Sequence, residues 1–373
     1  MKFAFCIFKF FPYGGLQRDF LRIMQTCVSH GHEVDVYTLR WKGEVSEGIN
    51  LFILPSIGLT NHTRAKYFSK KFQSAIKHKS YNLIIGFNKM AGLDVYFAGD
   101  VCLKERVSKE KKILSRFLLR YRVFLKQEKE VFSPESTTEI LLLTEKQKNE
   151  YIKNYGTPVE RFHIIPPGIA ENNYTNEEMV KIRADIRDSL GISQNKILLL
   201  FVASSFHSKG LGRALRAMIA ANDQRLKLIV IGDGDNKPYR SVAKKLGFSK
   251  QVCFLGSKEA LLPYMLSADI LIHPARVEAA GMVLVEALTA GLPVITTDIC
   301  GYAIHIEKAQ SGVILPSPFK QEVLNQALVN MINSENLNRY RASALAYSKQ
   351  TDLYHMTDKA VELLEQFGNR KLK

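Results

Sequence analysis

The chain has 373 residues, 46% of them apolar, and a formal net charge of +16. This length predicts two domains, and the apolar fraction is ample for two packed cores, which sets aside disordered and fibrous classes. The five cysteines, Cys6, Cys27, Cys102, Cys253 and Cys300, are scattered with no Cys-x-x-Cys pair, so they read as reduced structural thiols of a cytoplasmic protein.

The elements alternate apolar runs with amphipathic segments, the pattern of a doubly wound α/β sheet. Residues 3–8 read as a first strand and not a signal peptide, because Lys9 breaks the run and no small-residue cleavage site follows. Leu16, Phe20, Ile23 and Cys27 then recur at helical spacing until Gly31 ends the helix. Further strands are predicted at 34–39, 51–54, 83–86, 95–98, 140–143 and 163–165. Pro166-Pro167-Gly168 breaks the pattern and reads as a linker. A second series follows at 197–203, 226–232, 252–255, 270–273, 293–297 and 312–315. The fold class is therefore α/β, with two Rossmann-like doubly wound domains, 1–168 and 169–350, and a last helix in 351–373. Open parallel sheets bind ligands at the carboxyl ends of their strands, so the expected site lies in a cleft that the two domains face. No apolar stretch approaches the roughly 18 residues that a bilayer requires.

Gly14-Gly15 sits at the first strand-to-helix turn, where a phosphate or sugar can come against the amides; an ordinary tight turn is the plain alternative. Asp19 follows in the first turns of that helix, where it can simply favour the N-terminus. Asn88 and Lys89, after one strand, and Asp100, after the next, stand at carboxyl strand ends. Gly232-x-Gly234 lacks the third glycine of a dinucleotide fingerprint, which argues against a nicotinamide dehydrogenase. The nine histidines form no pair at ligand spacing, and His30 and His32, flanking Gly31, are expected to be exposed; no metal is expected.

Charge is uneven. Residues 1–168 carry 27 basic and 16 acidic side chains, so +11 of the net charge lies there. Within 104–132, ten Lys or Arg and four Glu occur with helical periodicity: Ile113, Leu114, Phe117, Leu118, Tyr121 and Phe124 on one face, Lys111, Lys112, Arg116 and Arg120 on the other. Such a basic amphipathic segment suits an anionic membrane surface, and a core-packed helix with a solvated charged face is the alternative. Residues 64–79 add six cations and no acid.

The most specific signal is Glu278 and Glu286, with seven residues between them. On one helix they would stand about 80° apart. A helix beginning near Ala280 or Gly281 instead leaves Glu278 in the preceding loop, puts Glu286 in the second turn, and frees the amides of Gly281, Met282 and Val283 for a phosphate. Two surface glutamates on a solvated helix remain the plain alternative. With Phe11-Pro12-Tyr13-Gly14-Gly15, Ser208-Lys209-Gly210 and Val294-Ile295-Thr296-Thr297 in the same order, this stretch resembles the Glu-x7-Glu signature of the retaining, metal-independent GT-B glycosyltransferases of family 4. The runs from Tyr13 to Phe20, Gly86 to Met90, Gly92 to Ala98 and Cys300 to Ala303 narrow the resemblance to enzymes that add glucose to heptose of the lipopolysaccharide inner core.

The resemblance implies a UDP-sugar donor, with glucose from UDP-glucose as the leading version, and no cofactor. It implies Lys209 against the leaving diphosphate and Asp100 activating or positioning the acceptor, while the residues themselves suggest Glu286 on the ribose, Glu278 on the sugar and Asp19 as a further catalytic candidate. The first domain would bind a lipid-linked acceptor, with Asn88 and Lys89 as contacts, and the last helix would pack back on it. The family's arginine five residues before Lys209 is Ser204 here, so either Lys209 works with backbone amides or Arg213 or Arg276 substitutes. The expected place is the cytoplasmic face of the inner membrane. A sugar-nucleotide epimerase of the same fold, or a basic nucleic-acid-binding protein lacking any recognisable recognition motif, are the alternatives.

Overall fold

Two series of buried apolar strands build two parallel sheets, each in its own unit: Met1–Gly168 with His355–Lys373, and Ile169–Tyr354. The computed structural model describes residues 1–12, 14–109, 118–333 and 335–372. In the first unit the order is β1 (Lys2–Ile7), α1 (Gly15–Ser29), β2 (Glu33–Thr38), β3 (Ile49–Ile53), α2 (Asn61–Ile76), β4 (Leu83–Gly86), β5 (Val95–Ala98), α3 (Leu103–Lys109), α4 (Leu119–Phe132), β6 (Glu139–Leu142), α5 (Glu145–Tyr155) and β7 (Phe162–Ile164). The second unit continues with α6 (Asn176–Ser189), β8 (Ile197–Val202), α7 (Phe206–Lys209), α8 (Leu211–Ala221), β9 (Leu226–Ile231), α9 (Lys237–Lys245), β10 (Val252–Gly256), α10 (Leu262–Ser267), β11 (Ile270–His273), α11 (Met282–Thr289), β12 (Val294–Thr297), α12 (Ala303–Lys308), β13 (Gly312–Leu315), α13 (Gln321–Ile332) and α14 (Leu337–Gln350). The chain then returns to the first unit as α15 (Met356–Leu372).

The seven-stranded sheet runs β3-β2-β1-β4-β5-β6-β7 and the six-stranded sheet β10-β9-β8-β11-β12-β13. Helices cover both faces of a parallel sheet, so its strands read as continuous apolar runs such as Phe3–Cys6 and Leu198–Phe201, all fully buried. In each sheet the strand order reverses beside the first strand of the unit, β1 or β8. The loops leaving β1 and β4, and those leaving β8 and β11, therefore diverge and open a crevice at their carboxyl ends.

The last helix packs on α1, and Glu365 in it meets His30 Nδ1 at 3.0 Å and His32 Nε2 at 2.8 Å. These ligand-type atoms lie within 4.8 Å of one another, a grouping not foreseen for two histidines expected to stand exposed. The basic segment also differs from expectation. Among the described residues it forms α3 and α4, and Leu118, which precedes α4, is extended (φ −62°, ψ 133°), so one helix does not run through 104–132. Lys111, Lys112 and Arg116 lie outside the described residues. Arg120 is exposed, beside Tyr121. No helix among the described residues is long and apolar enough to cross a membrane.

Lys89, expected as an acceptor contact from its place after β4, points inward. Its ammonium donates to Glu128 at 2.6 Å and to the Val101 carbonyl at 2.9 Å, and it lies 3.2 Å from Asp100. Glu128 is fully buried and also accepts from the Leu103 and Lys104 amides and the Tyr155 hydroxyl. Burial of the lysine is outweighed by the charges of Asp100 and Glu128, so its pKa is raised. Removing one partner of a buried ion pair typically costs about 3–5 kcal/mol, because the other is left charged and unpaired. Lys89→Met should therefore lose stability of that order in denaturant unfolding, and Lys89→Met with Glu128→Gln should lose less than the sum of the single changes. A Lys89→Met protein as stable as the parent would remove the pair from the list of forces holding this unit.

Candidate active site

The loops after the neighbouring strands β8 and β11 carry the two charged groups of the second unit. After β8 the chain enters the short helix α7 and closes it at Gly210, with φ 85°. A Cβ there would stand 2.1 Å from the Pro274 carbonyl, so only glycine lets the two loops approach this closely. The Ser208 carbonyl accepts from the Arg276 amide at 2.7 Å and the Val277 amide at 3.2 Å. Arg213 in α8 donates to the Pro274 and Ala275 carbonyls at 3.1 and 2.9 Å and stacks on Phe319.

This bracing brings Lys209 and Glu278, 69 positions apart, to 2.7 Å between Nζ and Oε2. The same oxygen lies 3.2 Å from His273 Nε2, and Oε1 accepts from the Ala279 amide at 3.2 Å. Burial alone would push the Glu278 carboxyl up; the His273 hydrogen bond and the Lys209 charge outweigh it and hold its pKa at about 2. Glu278 is ionised throughout the neutral range, in a place where an unpaired charge would be expensive.

Gly281 caps α11 with φ 93°, a conformation that disfavours any side chain, and Glu278 Cγ lies 3.3 Å from where its Cβ would be. The first amides of this helix have no intrahelical acceptor, as helix geometry requires. Met282 and Val283 are partly exposed there, and Glu286 is the fifth residue of the helix and half-buried. Glu278, Lys209 and the N-terminus of α11 thus lie together, with Glu286 one turn further along α11. Of the two cations offered in place of the family arginine, Arg213 is spent on carbonyl oxygens in the interior and its pKa is lowered to about 10 by burial. Arg276 is exposed, as is Ser204.

In the first unit, Gly14 caps α1 in extended conformation and the space where its Cβ would stand is filled by Gln17 and Phe11. Gly15 alone has open space on that side. Asp19 is buried in α1, past its first turn. Asn88 accepts from the Phe8 amide at 2.7 Å, tying the end of β4 to the end of β1. Asp100 is half-exposed beyond β5, and its Oδ1 is held by Lys89 at 3.2 Å and by the Tyr96 hydroxyl.

His273, Tyr96 and Glu128 carry weight that sequence reasoning did not assign. His273 had one legible signal, its place as the last residue of a strand whose carboxyl end faces the site; Glu128 had none among the charges around it.

Comparison with known proteins gives the family. The family model described as glycosyl transferases group 1 matches residues 182–347. The chain is 39% identical over 368 residues to the lipopolysaccharide glucosyltransferase WaaG of Escherichia coli (strain K12), covering 98% of each chain. It superposes on the crystal structure of WaaG, a glycosyltransferase involved in lipopolysaccharide biosynthesis, with a TM-score of 0.92 at 40% identity, over 97% of this chain and 99% of that one. Sucrose-phosphate synthase from Thermosynechococcus elongatus shares the fold, with a TM-score of 0.78 at 16% identity over 98% of both chains. With two parallel Rossmann-like sheets and a full-length relative at this level of identity, the chain belongs to the group 1 glycosyl transferases and has their GT-B fold.

Proposed function

We propose that the protein transfers glucose from UDP-glucose to heptose of the lipopolysaccharide inner core, with retention at the anomeric carbon. One observation carries the donor half of this reading: Lys209 and Glu278 meet beside the free N-terminus of α11. A diphosphate suits that ammonium and the amides of Gly281, Met282 and Val283, because cation, dipole and open N–H groups all favour negative charge. Glu286 accepts from ribose hydroxyls, and Glu278 from the hydroxyls of the hexose. The full-length likeness to a lipopolysaccharide glucosyltransferase supports glucose as the sugar and the lipopolysaccharide core as the acceptor. In the first unit Gly15 is proposed for the nucleotide sugar, Asn88 for the acceptor, and Asp19 and Asp100 as catalytic carboxylates, with Asp100 the activating or positioning one. Lys89 serves that site by holding Asp100. No carboxylate is placed as a nucleophile, so the UDP leaves and the heptose hydroxyl attacks on the same face of the glucose.

The deciding experiment is release of UDP from UDP-glucose with and without heptose-terminated core lipid, followed by identification of the product linkage. Release that requires the core lipid supports transfer; release without any acceptor, or interconversion of the sugar, favours the epimerase alternative.

Lys209→Ala should lower turnover in that assay by about 10²-fold, as loss of one donor to a developing negative charge does. More than half the parent rate in a folded variant would remove Lys209 from this role.

Glu286→Ala should weaken UDP binding by about tenfold, because ribose hydroxyls would be desolvated without an acceptor. A calorimetric UDP titration indistinguishable from the parent's would place the ribose elsewhere.

The excess positive charge of residues 1–168 and the basic segment 104–132 support reversible attachment to the cytoplasmic face of the inner membrane. Cosedimentation with anionic vesicles should be strong in low salt and fall steeply toward physiological ionic strength, where screening acts over about 8 Å. Changing Lys111, Lys112, Arg116 and Arg120 to glutamine should weaken it while leaving UDP binding unchanged. Equal sedimentation of variant and parent would mean that these cations do not anchor the protein.

A further inference from the structure

His273 ends β11 with its side chain 1% exposed, and none of the donor contacts above uses it. Its Nε2 lies 3.2 Å from Glu278 Oε2, the oxygen that Lys209 also contacts at 2.7 Å. We propose that His273 is a positioning residue, which keeps Glu278 ionised and correctly placed for the donor hexose once Lys209 turns from that carboxylate to the diphosphate. The proposal rests on the reading of Lys209 and Glu278 as donor contacts.

The two partners of Glu278 differ in freedom. Lys209 is the last residue of the short helix α7, with only Gly210 between it and α8, and its side chain is 20% exposed. Its long stem lets the ammonium follow a ligand. His273 is in a central strand paired with both β8 and β12, its ring stands near Phe201, and its carbonyl accepts from Thr296 Oγ1 at 3.1 Å. It cannot follow. A diphosphate brings more negative charge than Glu278 and draws the lysine away. The carboxylate, with its side chain only 13% exposed, would then face a second anion with no counter-charge unless another group remains.

Two further observations favour a functional histidine over a packed one. Its Nδ1 is buried without a hydrogen-bonding partner among the described residues, a burden that an apolar residue of the same shape would not carry. Burial works to lower its pKa, yet the neighbouring Cys300 and Glu278 outweigh this and raise it to about 9. The raised pKa favours the charged form of the ring beside Glu278. The groups facing it are Glu278 and Cys300, with Lys209 sharing the carboxylate.

The test combines kinetics with nitrogen NMR on the full chain. His273→Phe should lower kcat for UDP release from UDP-glucose with core lipid by about tenfold or more, since the sugar contact loses its orientation. Its affinity for UDP alone, whose diphosphate draws Lys209 from Glu278 but which has no hexose to meet that carboxylate, should fall by less than kcat does. His273→Gln keeps an N–H near the Nε2 position and should recover part of the rate. His273→Phe should add little to Glu278→Ala, because both remove one unit. Without any substrate, the His273 Nε2 resonance should be that of a protonated nitrogen and should shift in Glu278→Ala. Parent-like turnover of His273→Phe, a fall in UDP affinity that matches the fall in rate, or losses that multiply with Glu278→Ala would each overturn the proposal, as would an Nε2 signal indifferent to Glu278 should the phenylalanine variant not fold. A parent protein that binds UDP but turns over no UDP-hexose would instead overturn the donor reading itself, even with the nitrogen signal as described.

Discussion

A carboxylate almost wholly inside a protein stays charged only where cations stand against it, and the second unit is arranged around meeting that demand at Glu278. Lys209 and His273 both reach its Oε2. His273 ends the strand that leads to Glu278, five residues before it, but Lys209 is 69 positions away: the lysine follows β8, the glutamate follows β11, and the sheet places those strands side by side. The remaining features of the loops serve this meeting. Gly210 removes the atom that would hold the loops apart, the Ser208 carbonyl gathers two amides of the opposite loop, and Arg213 secures Pro274 and Ala275 from beneath. A change at any of these would be felt as a misplaced carboxylate before it was felt as lost stability, because catalytic contacts fail on displacements of about 1 Å.

The first unit uses the same device with the roles turned round. There the fully buried carboxylate, Glu128, anchors the cation, and the cation holds an exposed carboxylate, Asp100, at the end of β5. The Tyr96 hydroxyl donates to Asp100 as well, and Gln147 donates to its backbone carbonyl. Both units therefore set a reactive-type acid at a carboxyl strand end and fix it with a charge that packing forbids to move. That is the expected economy of a parallel α/β fold, whose strands are rigid and whose loops are not.

The thirteen strands among the described residues were legible within one or two residues at their ends, the central ones because strands buried on both faces leave apolar runs that no surface requirement disguises. The start of α11 was legible for a different reason: Gly281 before an apolar stretch permits the left-handed cap that frees the first amides. The inward turn of Lys89 was not, since its partner Glu128 is 39 positions away in a segment whose many charges look solvated. Periodicity also overreached in that segment. It registered a continuous stripe through Leu118, where the backbone is extended, because a side-chain pattern does not report where a helix stops when no Gly or Pro marks the place. His30 and His32 show the same limit, as the carboxylate that joins them arrives from Glu365 at the other end of the chain.

The charge arrangement also bears on which ligands the second unit can hold. Lys209 is already paired with Glu278, so a phosphate ligand must compete with that carboxylate for the ammonium and cannot simply add to it. A ligand bearing one phosphate gains little from the exchange, since it replaces one carboxylate by a similar charge in a similarly shielded place. A diphosphate spreads its charge over more oxygens and reaches the amides at the start of α11 together with Lys209, so it gains from both at once. The ion pair thus raises the threshold of charge that a ligand must bring, and on the proposed donor reading the hexose hydroxyls beyond the phosphates would recover part of the loss by taking the Glu278 oxygen that the lysine gives up. Binding of the leaving group and binding of the sugar would then be coupled through a single carboxylate, and one short stretch of chain would distinguish a nucleotide sugar from either of its parts.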